Sequence, residues 1–238
     1  IVTYYGDGSQ LTGVESGVSN FVASGTIANG ATVIIKTDGT VGIVTLTPSN
    51  TQTASSAVTF DSDNTTYSDV GYDPDNGKVV VAYADGGNSN RGTAIVGTVS
   101  GDTISFGTAV VFESGNTAYP SVAYDTTNNK VVIAYQDDDD SDRSKAIVGT
   151  VSGDSISFGS ATLVDSTSTN QTKQVAIYDS ANNRVVVAYA DQTNYRGEVA
   201  VGTVSGTSIS FGTPVEFFSG ESQYIALAYD STNEKVVI

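Results

Sequence analysis

The densest group of chemically capable side chains in this sequence is a run of four aspartates at 137–140, followed by Asp142. Carboxylate oxygens are the ligands that Ca²⁺ prefers in proteins. Asp138, Asp140 and Asp142 are therefore candidate Ca²⁺ ligands, although their spacing is not that of a known Ca²⁺-binding loop. The simpler interpretation is a solvated acidic loop, and we predict no other cofactor.

Three aspartate and arginine pairs recur with similar spacing. In each pair an Arg follows an Asp by five or six residues, which would let an ion pair brace the intervening loop. The alternative is a set of polar groups that engages a hydroxyl-rich ligand, with Tyr195 as a stacking surface for a sugar. The candidate ligand-binding residues are Asp85, Asn88, Arg91, Asp137, Asp139, Arg143, Asp191, Asn194, Tyr195 and Arg196.

The composition restricts which chemistry is available. His, Cys and Trp are absent, so a catalyst would have to use carboxylate, Tyr, Lys or Ser groups. The 26 acidic and 10 basic residues give a formal charge of −16, which makes nucleic acid a poor partner. No stretch reaches the roughly 18 apolar residues of a membrane-spanning helix, so we expect no membrane insertion.

An internal repeat of about fifty residues dominates the chain. Four segments align, from Ser68, Pro120, Lys173 and Tyr224, and each carries a Tyr-Asp pair followed by an apolar "KVVVAY"-like run. The first three copies continue into a second shared block that resembles "AIVGTVSGDSISFG". The sequence therefore contains three full copies and one that stops early.

Each full copy predicts four short strands, here named a to d. In the copy at Pro120 they are 121–124, 131–136, 146–151 and 155–164. Asp-x-x-Asn and Ser-Gly turns join a to b and c to d. Strand b is apolar on both faces and should be covered on both sides, whereas strand d alternates and should be half exposed. A meander of this length is typical of a propeller blade, so the predicted fold is an all-β propeller of four-stranded antiparallel blades.

The predicted organisation is a linker or N-terminal segment at 1–17 and a propeller over 18–238. The blades are expected at about 18–65, 66–116, 117–169 and 170–220, with a partial blade at 221–238. The region 20–62 is the diverged first blade. Because an unpaired apolar edge invites aggregation, we expect further blades or a closing strand beyond Ile238. The alternative is that residues 1–5 close the ring.

Variation between the copies is confined to the loops of one face. In a meander the b–c and d–a connections share one end, and these are the connections that differ between copies, whereas the a–b and c–d turns are nearly identical. This contrast is expected of binding loops on a repeated scaffold. Relaxed constraint on exposed loops explains it as well.

Two segments near the N-terminus resemble proteins of marine cyanobacterial phages. "TYYGDGSQLTGV" at 3–14 resembles a segment that links modules in their structural and tail proteins. "ASGTIANGATVIIKTDGTVGIV" at 23–44 resembles segments of their large repetitive virion proteins, where propeller-like repeats follow. The resemblance implies a virion component such as a tail fibre, adhesin or capsid decoration, and it brings no catalytic residues.

The function expected from the sequence is a non-catalytic structural or binding propeller of a phage virion or cell surface. Its expected partners are other virion or surface-structure proteins and host-surface glycans. The first alternative is a secreted or surface-anchored bacterial adhesin built from the same module. The second is a propeller glycoside hydrolase that uses paired carboxylates. A sialidase-like enzyme of this kind would need an arginine cluster at the central funnel, but the Arg residues here are in outer-loop positions.

Overall fold

Every long element in the described part of the chain is a β-strand, as the repeat predicts. The computed structural model describes residues 2–3, 20–23, 33–35, 40–43, 56–166 and 170–238. Apart from strands, these residues form two three-residue 3₁₀ turns, Gly86–Asn88 and Asp138–Asp140. The fold is therefore all-β, and nearly all of its strand pairs are antiparallel. No helix in the described ranges is long and apolar enough to cross a membrane.

The chain divides into two units, Ile1–Ala54 and Ser55–Ile238. The described strands of the first unit are β1 (Val2–Thr3), β2 (Asn20–Ala23), β3 (Val33–Ile35) and β4 (Thr40–Ile43). They lie in the order β1-β2-β4-β3, with β2 and β4 parallel. This pairing differs from the a–b–c order that the repeat predicts for 20–62. Except for Val2–Thr3, the predicted linker at 1–17 lies outside the described residues.

The second unit contains the repeat. Its strands are β5 (Thr65–Asp73), β6 (Lys78–Asp85), β7 (Arg91–Ser100), β8 (Thr103–Phe106), β9 (Val110–Asp125), β10 (Lys130–Asp137), β11 (Arg143–Ser152), β12 (Ser155–Phe158), β13 (Thr162–Leu163), β14 (Gln171–Asp179), β15 (Arg184–Asp191), β16 (Arg196–Ser205), β17 (Ser208–Phe211), β18 (Val215–Phe218), β19 (Ala228–Asp230) and β20 (Lys235–Val237). Each full copy is a meander in which a pairs with b and b pairs with c. The positions of strands a, b and c predicted from the copy at Pro120 are confirmed.

Strand d differs from the prediction because it is split in two. In the second copy β12 pairs with one half of β11 and β13 pairs with the other half. The break falls at Gly159, whose N–H donates to the carbonyl of Val148 at 2.9 Å. The first and third copies have the same break, so the split belongs to the repeat.

One long strand joins the first two copies. The beginning of β9 pairs with β7 and completes the first copy, and the end of β9 pairs with β10 and opens the second. The two meanders are therefore one continuous nine-stranded sheet.

Strand b is buried on both faces, as predicted. In the second copy Val131, Ile133 and Tyr135 pack in a cluster with residues of the first copy, and Val132 and Ala134 pack in a cluster with residues of the third. All five side chains are at most 2% exposed. Successive copies thus pack face to face, and burial of these apolar surfaces is the main stabilising contribution. Strand d is half exposed, since Ile156 is buried between exposed Ser155 and Ser157.

The recurring Asp of the Tyr-Asp pair builds the a–b turn. The Asp125 carboxylate accepts hydrogen bonds from the amides of Thr127 and Asn128, and from the Asn128 side chain. Asp73, Asp179 and Asp230 make the same three bonds in their own turns. This geometry satisfies turn amides that would otherwise need water.

The recurring Tyr of the pair connects neighbouring copies. Tyr124 donates to Asp75 Oδ2 of the preceding copy at 2.6 Å, and Tyr178 donates to Thr127 Oγ1 at 2.7 Å. Tyr229 instead accepts a bond from the Ala181 amide at 3.2 Å. The sequence motif therefore combines a turn residue and a contact between copies.

In each full copy a second tyrosine, on strand b, makes another contact with the preceding copy. Tyr135 donates to Glu113 Oε2 at 2.9 Å, and the Phe112 ring lies 5.1 Å from it. The same arrangement recurs one copy earlier, where Phe60 lies 5.1 Å from the Tyr83 ring and Asp61 takes the position of Glu113. Residues 56–62, the end of the predicted diverged first blade, form no strand, but the Phe60 and Asp61 side chains contact Tyr83 as Phe112 and Glu113 contact Tyr135.

An exposed ion pair also joins the first and second copies, and it gives a pH prediction. Lys78 Nζ and Thr98 Oγ1 donate to Asp154 Oδ1 at 2.7 and 2.8 Å. The bond from Lys78 and then that from Thr98 hold the pKa of Asp154 below its ordinary value of 3.8. A folded-state pKa below the unfolded value stabilises the fold above that ordinary value, and this stabilisation is lost as the pH falls through the folded pKa.

We therefore expect Asp154→Asn to lower the Tm near pH 6 and to match the parent chain near about pH 2. Thermal denaturation across this range measures the difference. Asp102→Asn, at the same turn position of the first copy, is the matched control and should change the Tm little at any pH. A constant Tm difference between Asp154→Asn and the parent would contradict the assignment.

Candidate functional site

An open pocket of the second unit is built from one structural position repeated in four copies. It has a volume of about 600 Å³ and is lined by residues 67–69, 119–121, 173–175 and 223–225. The first and third segments lie near the start of β5 and β14, the second lies in the part of β9 that pairs with β10, and the fourth precedes β19. We call it the strand-a pocket. By topology it lies toward the end that carries the b–c loops.

A bulge in strand a shapes the pocket wall. Tyr67, Tyr119 and Lys173 occupy equivalent positions and have φ of 49°, 48° and 56°. The strand register shifts at each of these positions. Bulky residues rarely adopt positive φ, and a bulge re-aims the side chain of the bulged strand. The same distortion in three copies directs three large side chains to one place.

Three aromatic rings line the pocket, those of Tyr67, Tyr119 and Tyr224. The rings of Tyr67 and Tyr119 lie 4.4 Å apart. Burial, followed by the neighbouring Tyr67 hydroxyl, raises the pKa of Tyr119 above its ordinary value. Lys173 Nζ lies 5.0 Å from the centre of the Tyr224 ring. This cation–π contact orients the Tyr224 side chain, which is 93% exposed.

Gln174 is the unusual polar group of the pocket. It lines the pocket but is only 3% exposed, and neither its amide nitrogen nor its amide oxygen has a hydrogen-bond partner in the described part of the chain. Buried amides are nearly always paired, because an unpaired one loses its bonds to water without compensation. In contrast, the nearby Asp69 is engaged, accepting from Ser121 Oγ and from the Val122 amide.

The predicted b–c loop residues lie at the base of their loops. Asp85 and Arg91 are register partners on strands b and c, and so are Asp137 with Arg143 and Asp191 with Arg196. Each pair is the last rung before the loop. This position explains why the two residue types recur together.

Only one of the three arginines forms an ion pair with the Asp opposite it on the neighbouring strand. Arg196 bonds Asp191 at 3.3 Å and Glu198 at 3.0 Å, so the third ion pair forms as expected. Arg143 instead pairs with Asp140, and Arg91 donates to Asn88 Oδ1 and to the Ser114 carbonyl. The arginines thus brace the loops, but two of the three do so through other acceptors.

The aspartates of these loops accept bonds from main-chain amides. Asp137 accepts from the amides of Asp139 and Asp140 and also from Lys145 Nζ at 2.6 Å. Asp191 accepts from Thr193 and Asn194 in the same way. The Asp85 carboxylate makes no such capping bond. Asp139 contacts the preceding copy, where its carboxylate accepts a hydrogen bond from the Asn116 amide. Tyr195 is 64% exposed.

The acidic run is distributed among different partners. Hydrogen bonds from Arg143 and Lys145 lower the pKa of Asp140, whereas burial raises that of Asp138. The Gln136 amide donates to both Asp138 and Asp142. In the described ranges no group of three or more acidic side chains is placed to hold a metal ion.

The residues of the strand-a pocket are not among the predicted ligand-binding residues. A signal for them exists, since Tyr67, Tyr119, Lys173 and Tyr224 each stand five residues before the Tyr of the Tyr-Asp pair.

Neither a comparison with protein-family models nor a search of curated proteins gives a match to this chain. The pocket can place aromatic faces, an ammonium group and a buried amide around one small ligand.

Proposed function

We propose that this chain is a non-catalytic binding and structural module of a phage virion, built as a β-propeller and contacting host-surface glycans. The observation that carries the proposal is the packing of successive meanders face to face, with the a strands β5, β9 and β14 beside one another. In a propeller, blades pack in this way around a central channel. No closed ring is detected in the described residues.

The arrangement of loops and pocket supports a binding role. The loops that vary between copies and the strand-a pocket lie toward the same end of the meanders, while the a–b turns repeat at the opposite end. The aspartates at the variable end are largely engaged in main-chain bonds, which suits a scaffold better than a general acid or base. The resemblance of 3–14 and 23–44 to phage virion segments supports the virion assignment.

Binding of the purified, fluorescently labelled chain to marine cyanobacterial cells tests this function. We expect saturable binding that falls several-fold after periodate treatment of the cells, because periodate cleaves vicinal diols of sugars. Unchanged binding after periodate would contradict glycan recognition. Release of reducing sugar from the cells, with or without periodate treatment, would instead indicate a glycoside hydrolase.

A further inference from the structure

We infer that the strand-a pocket is a binding site for an uncharged pyranose sugar, such as the terminal residue of a glycan. The inference rests on the proposed glycan-binding function and places it at the inner strands instead of at the b–c loops. It depends on three properties of the pocket: exposed tyrosine faces, a buried amide without partners, and the charge of the surrounding protein.

The tyrosines supply stacking surfaces. Tyr224 is 93% exposed although Lys173 holds its ring from one side, and Tyr67 is 49% exposed. Exposed aromatic faces that are held in place around a concave surface mark a site of contact. The C–H face of a pyranose ring is flat and weakly polar, so it covers such a face well.

Gln174 supplies the polar recognition. Its amide offers two donors and an oxygen acceptor, all without partners in the described residues. A sugar hydroxyl both donates and accepts, so two neighbouring hydroxyls can satisfy the nitrogen and the oxygen together. Because both amide atoms are shielded from solvent, binding includes a rotation of this side chain toward the ligand.

The charge of the protein disfavours an anionic ligand. The chain carries a formal charge of −16, which repels anions at long range. At the pocket the ammonium of Lys173 is directed at the Tyr224 ring, and Asp69 is occupied by Ser121 and Val122. Neither charge is placed to pair with an ionic ligand. The volume of about 600 Å³ is within the usual range for a small-molecule pocket.

Titration of the full chain with the methyl pyranosides of glucose, galactose, mannose and N-acetylglucosamine tests this site. Ligand-observed NMR and calorimetry measure binding by the parent chain and three variants. We expect Tyr224→Ala and Gln174→Met to weaken the bound glycoside roughly tenfold or more. Tyr195→Ala removes a 64% exposed tyrosine of a b–c loop and tests the alternative site there; we expect it to bind as the parent does.

The Gln174→Met variant has a second readout that a structural glutamine would not show. Removing a buried amide without partners should leave the Tm unchanged or raise it, while binding falls. A lower Tm would mean that the glutamine stabilises the fold, and the inference would be wrong.

The remaining outcomes separate the site from the function. Weakened binding only in Tyr195→Ala would place the site in the b–c loops, overturning this inference and leaving the proposed function intact. The same holds if no glycoside binds at millimolar concentration while binding to cells remains sensitive to periodate. Failure of both assays would overturn both proposals.

Discussion

Replacing Tyr135 by alanine is expected to reduce the free energy of unfolding by roughly 3–5 kcal/mol, as for other large buried aromatic residues. The side chain is fully buried between the first and second copies, against the Phe112 ring, and its hydroxyl donates to Glu113. The change removes the ring and leaves that carboxylate without this donor. Urea denaturation followed by circular dichroism measures the loss, which is a large fraction of the stability of an ordinary domain.

Two further variants separate the contributions to this effect. Tyr135→Phe keeps the ring and removes only the hydroxyl, so it should cost about 1–3 kcal/mol. Tyr195→Ala removes a tyrosine that is 64% exposed and should change stability by less than about 0.5 kcal/mol. Equal losses in the two alanine variants would show that Tyr135 does not join the copies.

The Gly159→Ala variant is expected to lose roughly 2–3 kcal/mol of stability because of a clash between copies. A Cβ at Gly159 would lie 1.9 Å from the carbonyl oxygen of Thr207 in the next copy, far inside van der Waals contact. Likewise, a Cβ added at Gly107 would lie 1.8 Å from the carbonyl oxygen of Asp154. Because the obstacle is backbone, the two copies must separate to make room. Chemical denaturation of the purified variant measures the loss.

The third copy provides the matched control. Gly212 occupies the same position, and its N–H donates to the Val201 carbonyl just as that of Gly159 donates to Val148. The nearest atom to a Cβ there lies 3.9 Å away, so Gly212→Ala should be close to neutral. If both variants lost the same stability, the cause would be the local turn, and the close approach of copies would have no measurable effect.

The strands of the repeat could be predicted because each has a strong local pattern. Strand b is a run of apolar residues such as 131–135, and burial on both faces follows from that run alone. The Asp-x-x-Asn turns are equally local, since Asp125 binds amides two and three residues away. Such features depend on neighbours in the chain, which the sequence displays directly.

The strand-a pocket could not be predicted in the same way. Its wall depends on a bulge at Tyr119 and on the approach of residues about fifty positions apart, such as Tyr67. The partner choice of Arg143 is likewise decided by the 3₁₀ turn that brings Asp140 close. A pattern of residue types indicates that a loop is polar, but the geometry of the turn decides which carboxylate an arginine reaches.

The strand β9 has a mechanical consequence. One unbroken backbone segment is hydrogen-bonded first to β7 and then to β10, so the first two copies share a strand and cannot be pulled apart without breaking one of its two ladders. Modules joined by free tethers would come apart singly under such tension. Here we expect the first two copies to resist tension together, because they share a strand.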